Sequence, residues 1–387
     1  MGEVMRAMGL MSGTSMDGID VALIETDGER VVTRVASATY AYDVELKARL
    51  AVAVAEARDL AGRSERPGSL REIERLLSER NAEAVERFFV DQAIERTSID
   101  VIGYHGQTVL HRPPSVAVLT TAAGVPYDEK HVGMTVQLGD GELLAKLTGL
   151  RVVYDLRADD VAAGGQGAPL APIYHAALVS GLPQRPVAVV NIGGVANVTF
   201  VGRDGQLLAF DTGPGSALID DHMLATTGLH CDEDGATAAR GTPDASVVKQ
   251  LLSDVYFTLV PPKSLDRDAF SRDPVSGLGL EDAIATLTSF SAKAIARSRE
   301  VLPEEPLLWI LTGGGRHNRT LARMVAESVE NAVVPAEAAG FDGDSVEAEA
   351  WAYLAVRSLA GLPITFPGTT GVAAPLTGGV LATPDRS

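Results

Sequence analysis

Two stretches of this chain carry the same local plan, and that repetition narrows the fold more than any other feature. Met5 to Glu25 reads as an apolar strand, the turn SGTSMDG (Ser12 to Gly18) and a second strand. Val187 to Val201 repeats the plan around Gly193 and Gly194, and a further hairpin leads into AFDTGPGS. A third apolar strand, in LLWILTGGGRHN, runs straight into Gly313, Gly314 and Gly315. The pattern predicts an α/β chain in which a nucleotide-cradling unit is duplicated, one copy per lobe. A length of 387 residues suits two packed lobes better than one core. The N-terminal lobe is expected at 1–152, with 367–387 returning to it, and the C-terminal lobe at 153–366. Asp43 to Thr97 reads as solvated amphipathic helices, broken near GRSERPGS, and Arg112 to Met134 as a loop-rich flap.

The glycine turns define a chemistry. Binding nucleotide phosphates requires backbone N–H groups aimed at anionic oxygens, and glycine allows the backbone to approach closely. In the first turn Gly13 and Gly18 supply that freedom, and Ser12, Thr14 and Ser15 add hydroxyl donors. Asp17 offers a carboxylate to Mg²⁺, directly or through water. Gly193 and Gly194 would clamp from the other side, and Gly313 to Gly315 would lie against base and ribose. Each turn alone is also what an ordinary hairpin contains; three, each at a strand end, point to a nucleotide site. The chain has no GxxxxGK[ST], no GxGxxG after its first strand and no HRD or DFG element, so P-loop, dinucleotide and protein-kinase folds are set aside.

Phosphoryl transfer to a hydroxyl needs a base beside the acceptor. Asp211, at a strand end before Gly-Pro-Gly, is the candidate, and the competing reading makes it a cap on the helix beginning near Ser216. His105 and Gln107 in GYHGQT occupy another strand end and are candidates for substrate, with a hydrogen-bonded core histidine as the alternative for His105. Glu347 opens an amphipathic helix, as a site carboxylate or as a solvated glutamate favoured by the helix dipole. Arg157 and Lys263 are the nearest cations for substrate or phosphate. The acidic run beginning at Cys231 lacks a partner cysteine or histidine at ligand spacing, so no metal site is assigned to it.

The net charge of −18 repels nucleic acid and anionic membrane, so neither is an expected partner. A lone cysteine suits a reducing cytoplasm. The opening MGEVMRAMGLM, with an arginine inside its apolar stretch, is expected to be no signal peptide, and no apolar run reaches the ~18 residues of a membrane helix.

With these residues in hand, the chain resembles the anhydro-N-acetylmuramic acid kinases. The resemblance runs through GLMSGTSMDGID, GYHGQT, VQLGDG, DLRADDVAAGGQGAPLAP, NIGGVANVT, FDTGPG, PPKSLDR, LTGGGRHN, EAEAWAYLA and GTTGVAAPLTGG, almost the whole chain. It implies an actin-like (ribonuclease H-like) two-lobed ATPase fold with a duplicated core and an interlobe cleft. It also implies an ATP- and Mg²⁺-dependent homodimer acting on an anhydrosugar in cell-wall recycling. Water would open the 1,6-anhydro bridge and the freed 6-oxygen would take the γ-phosphoryl group, giving N-acetylmuramic acid 6-phosphate. The family's water-activating base falls on Asp211 and an active-site glutamate on Glu347. Its ATP block falls on Gly13 to Asp20, which adds Met16, Ile19 and Asp20. Two departures are visible: Ser216 stands where the family usually has asparagine, and Ser115 to His131 is longer than in many members. Related alternatives are a levoglucosan kinase and a non-catalytic nucleotide-switched protein on the same scaffold.

Overall fold

The structure, a computed structural model, describes residues 2–13, 16–114 and 133–384. The stretch Ser115 to His131 and the residues Thr14 and Ser15 therefore lie outside the described residues. The chain opens with β1 (Met5–Met11), β2 (Gly18–Thr26) and β3 (Val32–Ala41), an antiparallel meander. Helices α1 (Val44–Ala57) and α2 (Leu70–Asp91) follow, with the break near 58–69 where the sequence places it. The Asp43 carboxylate starts α1 by accepting the Leu46 N–H, one of the donors a helix start leaves open. Then come β4 (Val101–Tyr104), the hairpin β5 (Gln107–Arg112) with β6 (Met134–Leu138), α3 (Gly141–Thr148), β7 (Val152–Tyr154), α4 (Ala158–Ala162) and α5 (Pro172–Leu178).

The second stretch repeats the plan. A meander of β8 (Val187–Ile192), β9 (Val195–Val201) and β10 (Leu207–Pro214) leads to α6 (Ala217–Thr227), α7 (Ala245–Leu251) and α8 (Leu280–Arg297). After them come β11 (Leu308–Thr312), α9 (Arg319–Val329) and β12 (Ala332–Pro335). The chain closes with α10 (Val346–Leu359), α11 (Pro367–Thr370) and β13 (Val380–Ala382).

The strand orders make the duplication explicit. One sheet runs β13-β7-β4-β1-β2-β3 and the other β10-β9-β8-β11-β12. In each, the first strand of a meander pairs in parallel with a strand reached through helices, and a second parallel strand follows. That repeated order is the duplicated ribonuclease H-like core of the actin-like fold. β1 and β8 are central and almost wholly buried, which is why both read as continuous apolar runs. β3 is an edge strand and alternates between exposed and half-buried residues.

Among the described residues one compact unit holds 2–114, 133–180 and 345–384, and the other holds 181–344. The divisions fall later than 153 and earlier than 367, for a physical reason. β7 spans position 153 and is paired on both sides, with β4 and with β13, so it belongs to the first sheet. The helix from Val346 belongs there too, because α10 lies directly on β1 and β4. A Cβ on Gly9 would meet the Ala348 carbonyl oxygen at 1.7 Å, and one on Gly103 the Trp351 carbonyl oxygen at 2.0 Å. Only glycine lets helix and sheet backbones approach so closely.

Candidate active site

In the first unit the carboxyl ends of β1, β4 and β7 lie side by side, the usual position for ligand in open α/β sheets. The β1–β2 turn is tied down from several sides. The Gly13 carbonyl accepts the Met16 N–H at 3.2 Å and the Gln107 side-chain amide at 3.0 Å. Met16 takes the left-handed conformation, with φ of 55°. Asp17 keeps its carboxylate exposed, 3.3 Å from the Lys47 ammonium. Gly18 begins β2, Ile19 is buried in the core and Asp20 accepts a hydrogen bond from Thr39 across the sheet at 2.6 Å. The last three residues of the block, Gly18, Ile19 and Asp20, thus belong to the strand.

His105 leaves the end of β4 with its ring on Trp351, centroids 4.7 Å apart. Its Nδ1 faces the Ser12 carbonyl at 3.1 Å and so must donate. Its Nε2 is left as an acceptor for the Arg157 guanidinium, 3.3 Å away through both Nε and Nη2. Burial, and then the Arg157 charge, push the imidazole down to about 3, so it is neutral and a fixed acceptor near neutral pH. Arg157 also donates to the Gly167 carbonyl at 2.9 Å and lies over the Trp351 ring at 5.2 Å. Burial lowers its pKa to about 10 against the support of Glu347 and Asp160, which leaves it charged. Glu347, in the first turn of α10, is exposed. The Gln107 Oε1 is buried and has no hydrogen-bond partner among the described residues. His105 also borders a cavity of ≈ 330 Å³, lined in addition by Arg63, Tyr104, Gln137 and Asp155.

In the second unit β8 and β11 are parallel neighbours, with Thr312 beside Asn191, so the two glycine turns that follow them share one sheet edge. Gly313 has φ of 74°, and a Cβ there would meet the Asn191 Oδ1 at 2.2 Å. Nothing lies within 4 Å of where a Cβ on Gly314 would stand, so that backbone is open to a ligand. Arg316 pins this turn, donating to the Gly313 carbonyl at 3.0 Å and to the carboxylates of Glu337 and Asp344, each at 2.8 Å. The Gly193 and Gly194 carbonyls accept the N–H groups of Ser216 and Gly215, both at 2.8 Å. The turn after β8 is therefore locked to the turn after β10, and Ser216 takes part through its backbone.

Asp211 sits where β10 slips register against β9, a bulge that re-aims side chains. Its Oδ2 accepts the Leu265 N–H at 2.7 Å, and its own N–H donates to the Lys263 carbonyl at 3.1 Å. It does not cap α6, whose start at Ser216 has no side-chain cap. Burial drives the carboxyl up to about 7, against the pull of the Leu265 N–H and Lys263. The Lys263 ammonium donates to the Tyr256 carbonyl at 3.2 Å and is lowered to about 8, first by burial and then by Arg297.

Within the first unit Gly13, Met16, Asp17, Gly18, His105, Gln107, Arg157 and Glu347 gather at one edge, and within the second Gly193, Gly194, Gly313 to Gly315, Asp211 and Lys263 do so. Sequence reasoning misses Trp351, although it lies four residues after Glu347 on the same helix face. It also misses Asp160, whose buried carboxylate accepts from the Gly167 N–H and the Thr370 hydroxyl, both at 2.6 Å. The acidic run after Cys231 is spent on structure, since Asp232 accepts the N–H groups of Thr237 and Ala238. Among the described residues no helix is long and apolar enough to cross a membrane.

The duplicated core, with glycine turns at the ends of its parallel strands, places the chain in the class of actin-like ATPases and sugar kinases. A family model for anhydro-N-acetylmuramic acid kinase matches residues 5–384. An anhydro-N-acetylmuramic acid kinase from Rhizobium etli is 50% identical over 387 residues, covering 99% of this chain and all of that one. One from Methylobacterium nodulans is 49% identical over 98% of this chain and all of its own. Among solved structures, a ROK hexokinase from Thermus thermophilus is similar at 15% identity and a TM-score of 0.39, covering 91% of this chain and 100% of that one. The chain belongs to the anhydro-N-acetylmuramic acid kinase family. It is an enzyme, an ATP-using kinase.

Proposed function

We propose that this kinase acts on 1,6-anhydro-N-acetylmuramic acid, opening the anhydro bridge with water and phosphorylating the 6-oxygen. The water oxygen bonds to the anomeric carbon and its proton passes to the Asp211 carboxylate. The bond from that carbon to the 6-oxygen breaks, the freed oxygen takes the γ-phosphoryl group of ATP, and ADP leaves. The products are N-acetylmuramic acid 6-phosphate and ADP. The observation that carries the reading is the Asp211 carboxyl. One oxygen is fixed by the Leu265 N–H, the other has no hydrogen bond among the described residues, and burial sets it to titrate near neutrality. A carboxylate of that basicity suits general-base help to water attacking a carbon of oxocarbenium character.

The remaining assignments follow this reading. Gly13 to Gly18, Gly193, Gly194 and Gly313 to Gly315 hold the nucleotide. His105, Gln107 and Arg157 face the sugar, where the unpartnered Gln107 Oε1 offers an acceptor to a hydroxyl or amide N–H and Arg157 a charge for the lactyl carboxylate. Glu347 supports Arg157 electrostatically. Mg²⁺ fits Asp17, an exposed carboxylate on the phosphate-binding turn, since this ion is generally held by one or two carboxylates together with phosphates and water. When bound it neutralises phosphate charge. A cytoplasmic homodimer serving cell-wall recycling completes the proposal, on the family resemblance.

The test is an ADP-release assay with Mg-ATP in ¹⁸O-water, comparing the anhydromuramic acid with levoglucosan. Phosphorylation of the first with label at the anomeric carbon is expected. Turnover of levoglucosan alone would reassign the substrate, and ADP release without either sugar would remove the sugar kinase.

A further inference from the structure

The sequence assigns Lys263 to substrate, but the structure occupies its ammonium elsewhere. The segment 256–265 is laced to Asp211 at several points. The Tyr256 hydroxyl donates to the Asp211 carbonyl at 2.5 Å, the Asp211 N–H to the Lys263 carbonyl at 3.1 Å, and the Leu265 N–H to the Asp211 Oδ2 at 2.7 Å. The Lys263 ammonium closes the loop by donating to the Tyr256 carbonyl at 3.2 Å. It lies 4.6 Å from the Tyr256 ring centroid and 5.7 Å from that of Phe210, the residue before Asp211. Ring faces of this kind hold a cation in place. Pro261 and Pro262 precede Lys263 and restrict the strap's backbone.

We infer that Lys263 is a positioning residue for Asp211: the strap from Tyr256 to Leu265 fixes the carboxylate's orientation, and the Lys263 ammonium on that strap favours its ionised form. The inference rests on Asp211 being the base. Two demands conflict at this carboxyl. A base must be buried enough to be basic, yet charged at working pH. Burial alone favours the protonated acid, and a fixed cation of the same strap opposes it. The charged and titratable groups around the pair are few. Asp211 faces Tyr256 and Lys263; Lys263 faces Asp211, Arg297 of α8 and Glu300. Arg297 is itself engaged with the Leu252 carbonyl at 2.6 Å and with Glu300 at 3.2 Å.

The experiment is the pH profile of kcat/KM for the anhydromuramic acid in the wild type, Lys263→Met and Lys263→Arg. In Lys263→Met the acid limb should move to higher pH by about one unit. Lys263→Arg, which keeps the charge, should return it most of the way. On the alkaline plateau Lys263→Met should keep the sugar KM within about twofold of wild type. A sugar KM raised at every pH with the limb unmoved would make Lys263 a substrate ligand and overturn the inference. Lys263→Gln carries the same expectation should the methionine variant not fold. Asp211→Asn, run alongside, reads the base assignment separately. Full activity there would remove the base and this inference with it. Activity lost there, with an unmoved limb in Lys263→Met, would remove only the role of Lys263.

Discussion

The two units share a strand order and differ in how they hold the turns at its end. In the first, side chains do the bracing: Gln107 and His105 bind the backbone at Gly13 and Ser12, and Arg157 binds His105. In the second, backbone binds backbone, Gly193 and Gly194 to Ser216 and Gly215, with Arg316 pinning the neighbouring turn. The electrostatics diverge too. The first edge carries a half-buried guanidinium beside a neutral imidazole, and the second a carboxyl raised to about 7. Duplication thus supplies one scaffold twice, and substitution on it leaves a guanidinium at one edge and a carboxyl of raised pKa at the other.

The sharpest way to break that comparison is to remove the Asp211 carboxylate, the base of the reaction proposed above. Asp211→Asn should lower kcat by about 10²–10⁴-fold, the usual worth of a general base, with ATP binding nearly unchanged by calorimetry. Wild-type-like turnover would return Asp211 to a structural role. Next comes the packing peculiar to the first unit, where α10 rests on glycine. Gly103→Val places a branched side chain against the Trp351 backbone and should destabilise the fold by about 1–3 kcal/mol or more in chemical denaturation. An unchanged melting curve would mean that helix and sheet are not in such close contact. A smaller effect is expected at Gln107. Gln107→Leu removes the unpartnered acceptor together with the amide donor to Gly13, and should raise the sugar KM about tenfold with a lesser change in kcat. An unchanged KM would take Gln107 out of the sugar site.

What was legible in the sequence is what is local. A glycine turn or a carboxylate at a strand end announces itself within a few residues, so the three turns and Asp211 stand out before any fold is known. The repeated strand–turn–strand plan likewise predicts the repeated sheet. The unit boundary does not show, because β7 is an ordinary short apolar run whose membership depends on pairing with β4 and β13. The partners of Asp211 do not show either, since Tyr256 and Leu265 lie 45 and 54 residues further along the chain. Trp351 is hidden differently: in an Ala-rich helix it reads as core, and only the closeness permitted by Gly9 and Gly103 explains its place under His105.

The subtlest contrast is in how acid acts on the two units. Asp211 has its carboxyl raised from 3.8 to about 7, so between those values the folded state binds more protons than the unfolded one. Its contribution to stability is present below 3.8 and is lost as pH rises through about 7. His105 runs the other way. Its pKa falls from 6.5 to about 3, so its contribution is present above 6.5 and is lost as pH falls toward 3. His111, lowered to about 4, adds to the first unit's sensitivity. Acidification from neutrality should therefore favour the second unit through Asp211 while loosening the first through its histidines. Amide hydrogen exchange at pH 7 and pH 5 reads this directly, once corrected for the intrinsic pH dependence of exchange. Protection should fall more in β1 and β4 than in β8 and β11, and His105→Asn should narrow the difference. Equal loss in both sheets would mean that the buried imidazole does not control the acid response of its unit.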